Sequence, residues 1–122
     1  MCALTLWASG QSLEFKDYQD FRSHTFRIAD ESEGLEVTIF DDEPEPRPVA
    51  YMYLLTSTSW HRKTPGLDVS VLAIRPDARS SRKVLETVRH IIESVCREEG
   101  LGWYSRVKHV NQTTDIVVTK EI

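Results

Sequence analysis

The strongest constraint on this chain lies between residues 67 and 100. "LDVSVLAI" (67–74) is a β-branched, apolar run of strand character. The period then changes. Val84, Leu85, Val88, Ile91, Ile92, Val95 and Cys96 recur at the spacings that line one face of a helix, and Gly100 supplies its C-terminal stop. A further strand, "GWYSRVKHV" (102–110), follows at once. A strand, a helix and a strand in this succession predict a crossover between parallel neighbours in one sheet.

The remaining segments fill out that sheet. "ALTLWA" (3–8) reads as a first strand, and Phe15, Tyr18, Phe21 and Phe26 fall near helical spacing before Gly34. "LEVTIF" (35–40) is a strand, and "VAYMYLLTSTS" (49–59) is an interior one because it is apolar on both faces. Between them "DDEPEPRP" carries three prolines among acids, which forbids pairing and predicts a solvated connection without chemistry. A polar loop, "TSWHRKTPG", should precede residue 67 and could dock a substrate or partner. "TDIVVTKEI" (114–122) is the last strand, after the short turn "NQT". The reading is one α/β domain over 1–122, with a mixed, mostly antiparallel sheet and the crossover at its centre.

The turn before the helix is the candidate site. Arg79, Arg82 and Lys83 stand where a helix N-terminus already presents unpaired amides and partial positive charge. Stability alone favours Asp or Glu there, so three cations point to an anion held in the turn. Against this stands the plainer reading that the long side chains simply point into water, at a screened cost of a few tenths of a kcal/mol, roughly.

"LDVSVLAIRPDARSSRKVLETV" resembles the acyl-CoA-binding segment of the GNAT superfamily of N-acetyltransferases. There a strand ends in an apolar triplet, a proline often follows, and R-x-x-G-x-G/A opens the next helix. The matching positions are Val71, Leu72, Ala73, Ile74, Pro76, Arg79, Ser80, Ser81, Arg82, Lys83 and Val84. The resemblance implies an acyl-CoA N-acyltransferase-like fold, with acetyl-CoA as cofactor and its pyrophosphate on the backbone amides of this loop. Leu72, Ala73, Ile74 and Arg79, Ser80, Ser81, Arg82, Lys83 are the cofactor-binding set so implied. Ser81 or Arg82, and Lys83, stand where glycines are usual; glycine lets backbone approach a phosphate without a Cβ between, and the Arg82 side chain would lie across that approach. The usual helix between the last two strands is also missing, leaving a compact C-terminus.

Amine acetylation needs a base for the attacking ammonium, an amide for the oxyanion and an acid for the departing thiolate. Asp68 and Ser70 lie two apart on the predicted strand, on one face, with Val69 and Val71 on the other. By the resemblance Asp68 is the base, the amide of Leu72 or Ala73 the oxyanion donor, and Tyr104 the acid, with His109 behind it. Each has a bland alternative: a solvated aspartate, a half-buried strand tyrosine, a hydrogen-bonded strand histidine.

Net charge is -4, so no chain-wide field draws the protein to nucleic acid or to an anionic membrane. Cys2 and Cys96 have no partner at metal-ligand spacing, so no metal site is expected and both read as free thiols in a reducing cytosol. "MCALTLWASG" has neither a basic n-region nor the length of a span, which predicts a cytoplasmic protein. The last twenty residues or so are similar to small acetyltransferase-like proteins of tailed bacteriophages, which implies a host-cytoplasm or virion location. Two functions follow: N-acetylation of an unspecified amine, on a small molecule or on a protein lysine or N-terminus, or an inactive acetyltransferase-like binding or structural module, for example a phage virion or host-interaction protein. An exposed last strand could also pair with a second copy in a homodimer.

Overall fold

The computed structural model describes residues 23, 24, 27, 31, 33–109 and 113–122. The strand expected at 3–8 lies outside these, as does most of the helix expected before Gly34; Ser23, His24, Arg27 and Glu31, which are described, are helical. Five strands follow: β1 (Leu35–Phe40), β2 (Pro48–Ser59), β3 (Arg62–Ile74), β4 (Trp103–His109) and β5 (Asp115–Glu121). One helix, α1 (Arg82–Glu99), stands between β3 and β4 after a 3₁₀ turn at Pro76–Ala78. The sheet runs in sequence order, β1-β2-β3-β4-β5. Neighbours are antiparallel except β3 and β4, which are parallel, as the strand-helix-strand succession requires.

The predicted helix forms because its stripe has a sheet to cover. Val88, Ile92 and Cys96 are buried against Met52, Leu54, Leu67 and Val69 in the main core. Gly100 ends α1 in the left-handed conformation (φ 69°, ψ 33°) and donates its amide to the Cys96 carbonyl, the stop that only glycine takes without strain. The opposite face holds a smaller cluster of Tyr51, Tyr53 and Ala73, with Leu55 and Val71 against it. β2 is buried on both faces, which is why its sequence is continuously apolar.

The polar loop expected at 58–66 is not a loop. β2 and β3 extend to a two-residue turn at Trp60 and His61, so β3 begins five residues earlier than its apolar pattern suggests. What holds the extension is Trp103 at the start of β4. Its indole N–H donates to the Thr64 carbonyl at 2.9 Å, Arg62 lies over the ring at 5.7 Å, and Arg62 also pairs with Glu121 at 2.8 Å. Gly66 lets the indole in, since a Cβ there would meet its ring carbons at 2.2 Å. Pro65 is tolerated because the β2–β3 register slips between Ser57 and Ser59.

Gly66→Ala should therefore lose on the order of 1–3 kcal/mol, as overpacking against a buried ring does. Denaturant unfolding followed by Trp fluorescence measures it; an unchanged midpoint would contradict the packing of Trp103 on Gly66.

Candidate functional site

The site is set by a bulge. Along β2 and β3, Tyr53 faces Val71 while Leu54 faces Val69, so Ser70 is an extra residue with no partner on β2. Beyond it every side chain changes face. Leu67 and Val69 point to α1, and so do Leu72 and Ile74, whereas Val71 and Ala73 join Tyr51 and Tyr53 on the far side. Val69 and Val71 thus do not share a face, because the bulge breaks the two-residue period between them.

The same residue marks the point where β3 and β4 part. Their parallel ladder covers Leu67–Tyr104, Asp68–Ser105 and Val69–Arg106, then stops. β3 continues to Ile74 and β4 to His109 with no shared register among the described residues. The β4-facing backbone groups of Ser70 to Ile74 therefore border a gap between two strands of one sheet, where polar backbone lacks a strand partner among the described residues. One of them, the Ile74 carbonyl, accepts from Arg79 Nε at 3.2 Å.

Asp68 and Ser70 do meet: the Ser70 hydroxyl donates to the Asp68 carboxylate at 2.8 Å, beside the end of the ladder. Tyr104 does not join them. It is paired with Leu67 and half-buried against the α1 side of the sheet, while Asp68 is paired with Ser105 one step on and so occupies the other face. Burial, reinforced by the nearby Glu93 carboxylate, pushes the Tyr104 hydroxyl above its ordinary pKa, so it keeps its proton. The backbone of His109 pairs with Asp115 at the end of β4.

The turn at 75–83 is fixed from both ends. Arg75 is bound by Asp77 at 2.6 Å and by Asp41 at 3.2 Å, and its amide donates to the Val49 carbonyl. Asp41 in turn accepts from the amides of Arg47 and Glu43, closing the proline-rich connection on itself. These contacts, the Arg47 amide first, hold the Asp41 carboxyl below the usual carboxylate range; Asp77 and then Asp41 raise Arg75. The connection read as inert is thus the brace of the turn.

Ser81 is the N-cap of α1, its hydroxyl accepting from the Val84 amide at 3.4 Å. Ser80, Arg82 and Lys83 keep amides with no acceptor among the described residues. The cations of the turn do not converge on one point. Arg82 turns back to Glu86 at 2.9 Å with its side chain 91% exposed, and Lys83 pairs with Asp42 from the β1–β2 connection, which raises its pKa. Arg82 therefore lies along the helix surface, not across the turn. An open depression of about 330 Å³, lined by Ser80, Arg82, Leu85, Glu86 and Arg89, runs beside it. No group of three or more metal-ligating side chains occurs among the described residues, and no described helix is long and apolar enough to cross a membrane.

Sequence reasoning missed the brace and the bulge. The bulge had a signal: in "LDVSVLAI" the large apolar residues sit at 67 and 69, then at 72 and 74, a slip of one in the alternation. The brace had none, since Asp41 and Arg75 are 34 residues apart.

Among the described residues the architecture is a five-stranded sheet in sequence order with α1 packed on one face, and solved structures share this fold. The chain is similar to the structure of AtaTR bound with acetyl-CoA (TM-score 0.51, 14% identity, 77% of this chain and 64% of that one). It is similar also to the KacTA–DNA complex (TM-score 0.52, 16% identity, 75% and 59%). A mutant AtaT toxin bound to the C-terminus of the antitoxin AtaR and acetyl-CoA matches at TM-score 0.52 and 13% identity, over 78% and 62%. The chain thus spans about three fifths of the length of these proteins. No protein-family model and no curated protein matches the sequence.

The Asp41–Arg75 contact predicts a pH dependence. A carboxyl whose folded pKa is depressed adds stability that is complete above its unfolded pKa of about 3.9 and is lost as pH falls through the folded value. Asp41→Asn should lower the melting temperature at neutral pH, and the gap from the parent should narrow below pH 4 or so. A constant gap down to the acid limb would contradict the depressed pKa.

Proposed function

We propose that the chain is an acyl-CoA-dependent N-acyltransferase, taking acetyl-CoA as donor and a primary amine of a small molecule or protein as acceptor. The observation that carries this reading is the gap between β3 and β4 beside the open amides of α1, in a fold similar to proteins whose structures hold acetyl-CoA. Amides of Ser80, Arg82 and Lys83, aided by the helix dipole, would hold the pyrophosphate. The acyl arm would run along the unpaired edge from Leu72 to Ile74, with the amide of Leu72 on the oxyanion, since the Ala73 amide is turned toward Tyr51 of β2. Asp68, oriented by Ser70, takes the proton from the attacking ammonium. Tyr104 carries the proton the departing thiolate needs. Base and acid on opposite faces fit a thioester threaded between the strands, since the amine then bonds to the carbonyl carbon from one side while the thiolate departs toward the other.

A second reading, an acetyltransferase-like module that binds a partner without catalysis, draws on the pairing of Arg82 with Glu86 and of Lys83 with Asp42. Cations already neutralised give a phosphate less.

Titration calorimetry with acetyl-CoA separates the two. Binding at millimolar concentration or tighter is expected, weakened by Arg79→Ala, which releases the Ile74 carbonyl, and little changed by Arg82→Ala. No heat and no thermal stabilisation would leave the module reading. Where thiol release with a panel of amines reports turnover, Asp68→Asn should slow it by roughly 10²-fold or more while acetyl-CoA affinity is kept; undiminished turnover would remove Asp68 as base.

A further inference from the structure

Among the described residues β5 is an edge strand with no element over it. All seven of its residues are exposed, and Ile116, Val117 and Val118 follow one another, so apolar side chains stand on both of its faces. Val117 pairs with Val107 of β4, itself exposed, which carries the apolar patch inward on one face. Edges of soluble sheets are commonly blunted by a bulge, a proline or a central charge. β5 has none of these: its seven pairs with β4 run without a register shift, and Asp115, Lys120 and Glu121 sit at its ends. The opposite edge is different, with a register shift in β1 between Ile39 and Phe40.

We propose that the outer edge of β5 pairs antiparallel with β5 of a second copy of this chain, joining two sheets into one across a two-fold axis. An axis perpendicular to the sheet keeps every side chain on its own face, so residues of the same parity must oppose one another and the axis must pass through a residue. Centred on Val117, Ile116 meets the partner's Val118, Asp115 meets the partner's Thr119, and Thr114 meets the partner's Lys120. No like charges face each other, and the apolar triplet is stacked on itself. Centred on Val118, Asp115 would face the partner's Glu121 and Ile116 the partner's Lys120, a repulsion and an apolar mismatch. The charge pattern of "TDIVVTKEI" therefore selects both the occupant and its register: it is self-complementary about Val117.

Sedimentation velocity across the micromolar range tests this. The expected result is a concentration-dependent doubling of mass, abolished by Val117→Lys with the melting temperature retained, because Val117 is 65% exposed in the single chain. In a Cys2→Ser background, Val117→Cys should form a symmetric disulfide-linked dimer on mild oxidation, and Val118→Cys should do so far less. A monomer throughout, a dimer that survives Val117→Lys, or preferential cross-linking through position 118 would each overturn the proposal; the first would leave the edge for a strand of a different protein.

Discussion

The single extra residue at Ser70 governs the rest of the structure. It slips the β2–β3 register, turns Leu72 and Ile74 toward α1, and coincides with the end of the β3–β4 ladder. A regular strand through position 70 would put Val71 among the helix-facing core residues and Leu72 outside it, a one-residue error that reverses every later side chain. The gap between β3 and β4 opens at that slip, with α1 following the strand that borders it. A bulge costs a ladder hydrogen bond, and here the loss falls where a ligand can replace the missing strand.

Two devices keep the gap in shape, one at either end. Trp103, seated on Gly66 and tied to the Thr64 carbonyl, clamps β3 and β4 where they are together. Arg75, held between Asp41 and Asp77, fixes the turn where they are apart. The second device is polar and, at Arg75 and Asp41, largely buried, and Ala78 of the same turn packs into the main core beside it. It also explains why a connection with three prolines is worth keeping: the stiff segment presents Asp41 and Asp42 to Arg75 and Lys83.

Much of this was legible in the sequence where periodicity is local. α1, its glycine stop and the bounds of β1 follow from spacing and turn chemistry. The hairpin between β2 and β3 was not, because its outer residues are polar and contain Pro65, and it is held by Trp103 from 39 residues away. The candidate turn was half legible. Its cations stood out, but a helix N-terminus crowded with positive charge has two remedies, a bound anion or neighbouring carboxylates, and Glu86 and Asp42 supply the second for Arg82 and Lys83. What is left for an anion is the backbone: the amides of Ser80, Arg82 and Lys83, which a cap at Ser81 leaves open.

In a ¹H–¹⁵N correlation spectrum titrated with acetyl-CoA, the account predicts the largest shifts at two places: the amides from Leu72 to Ile74 along the gap, and those from Ser80 to Lys83 at the start of α1. The amides of β1 and β5 should stay where they are. Shifts confined to the depression beside Leu85 and Arg89, or no saturable shifts at all, would contradict the claim that the bulge at Ser70 opens this sheet for an acyl-CoA.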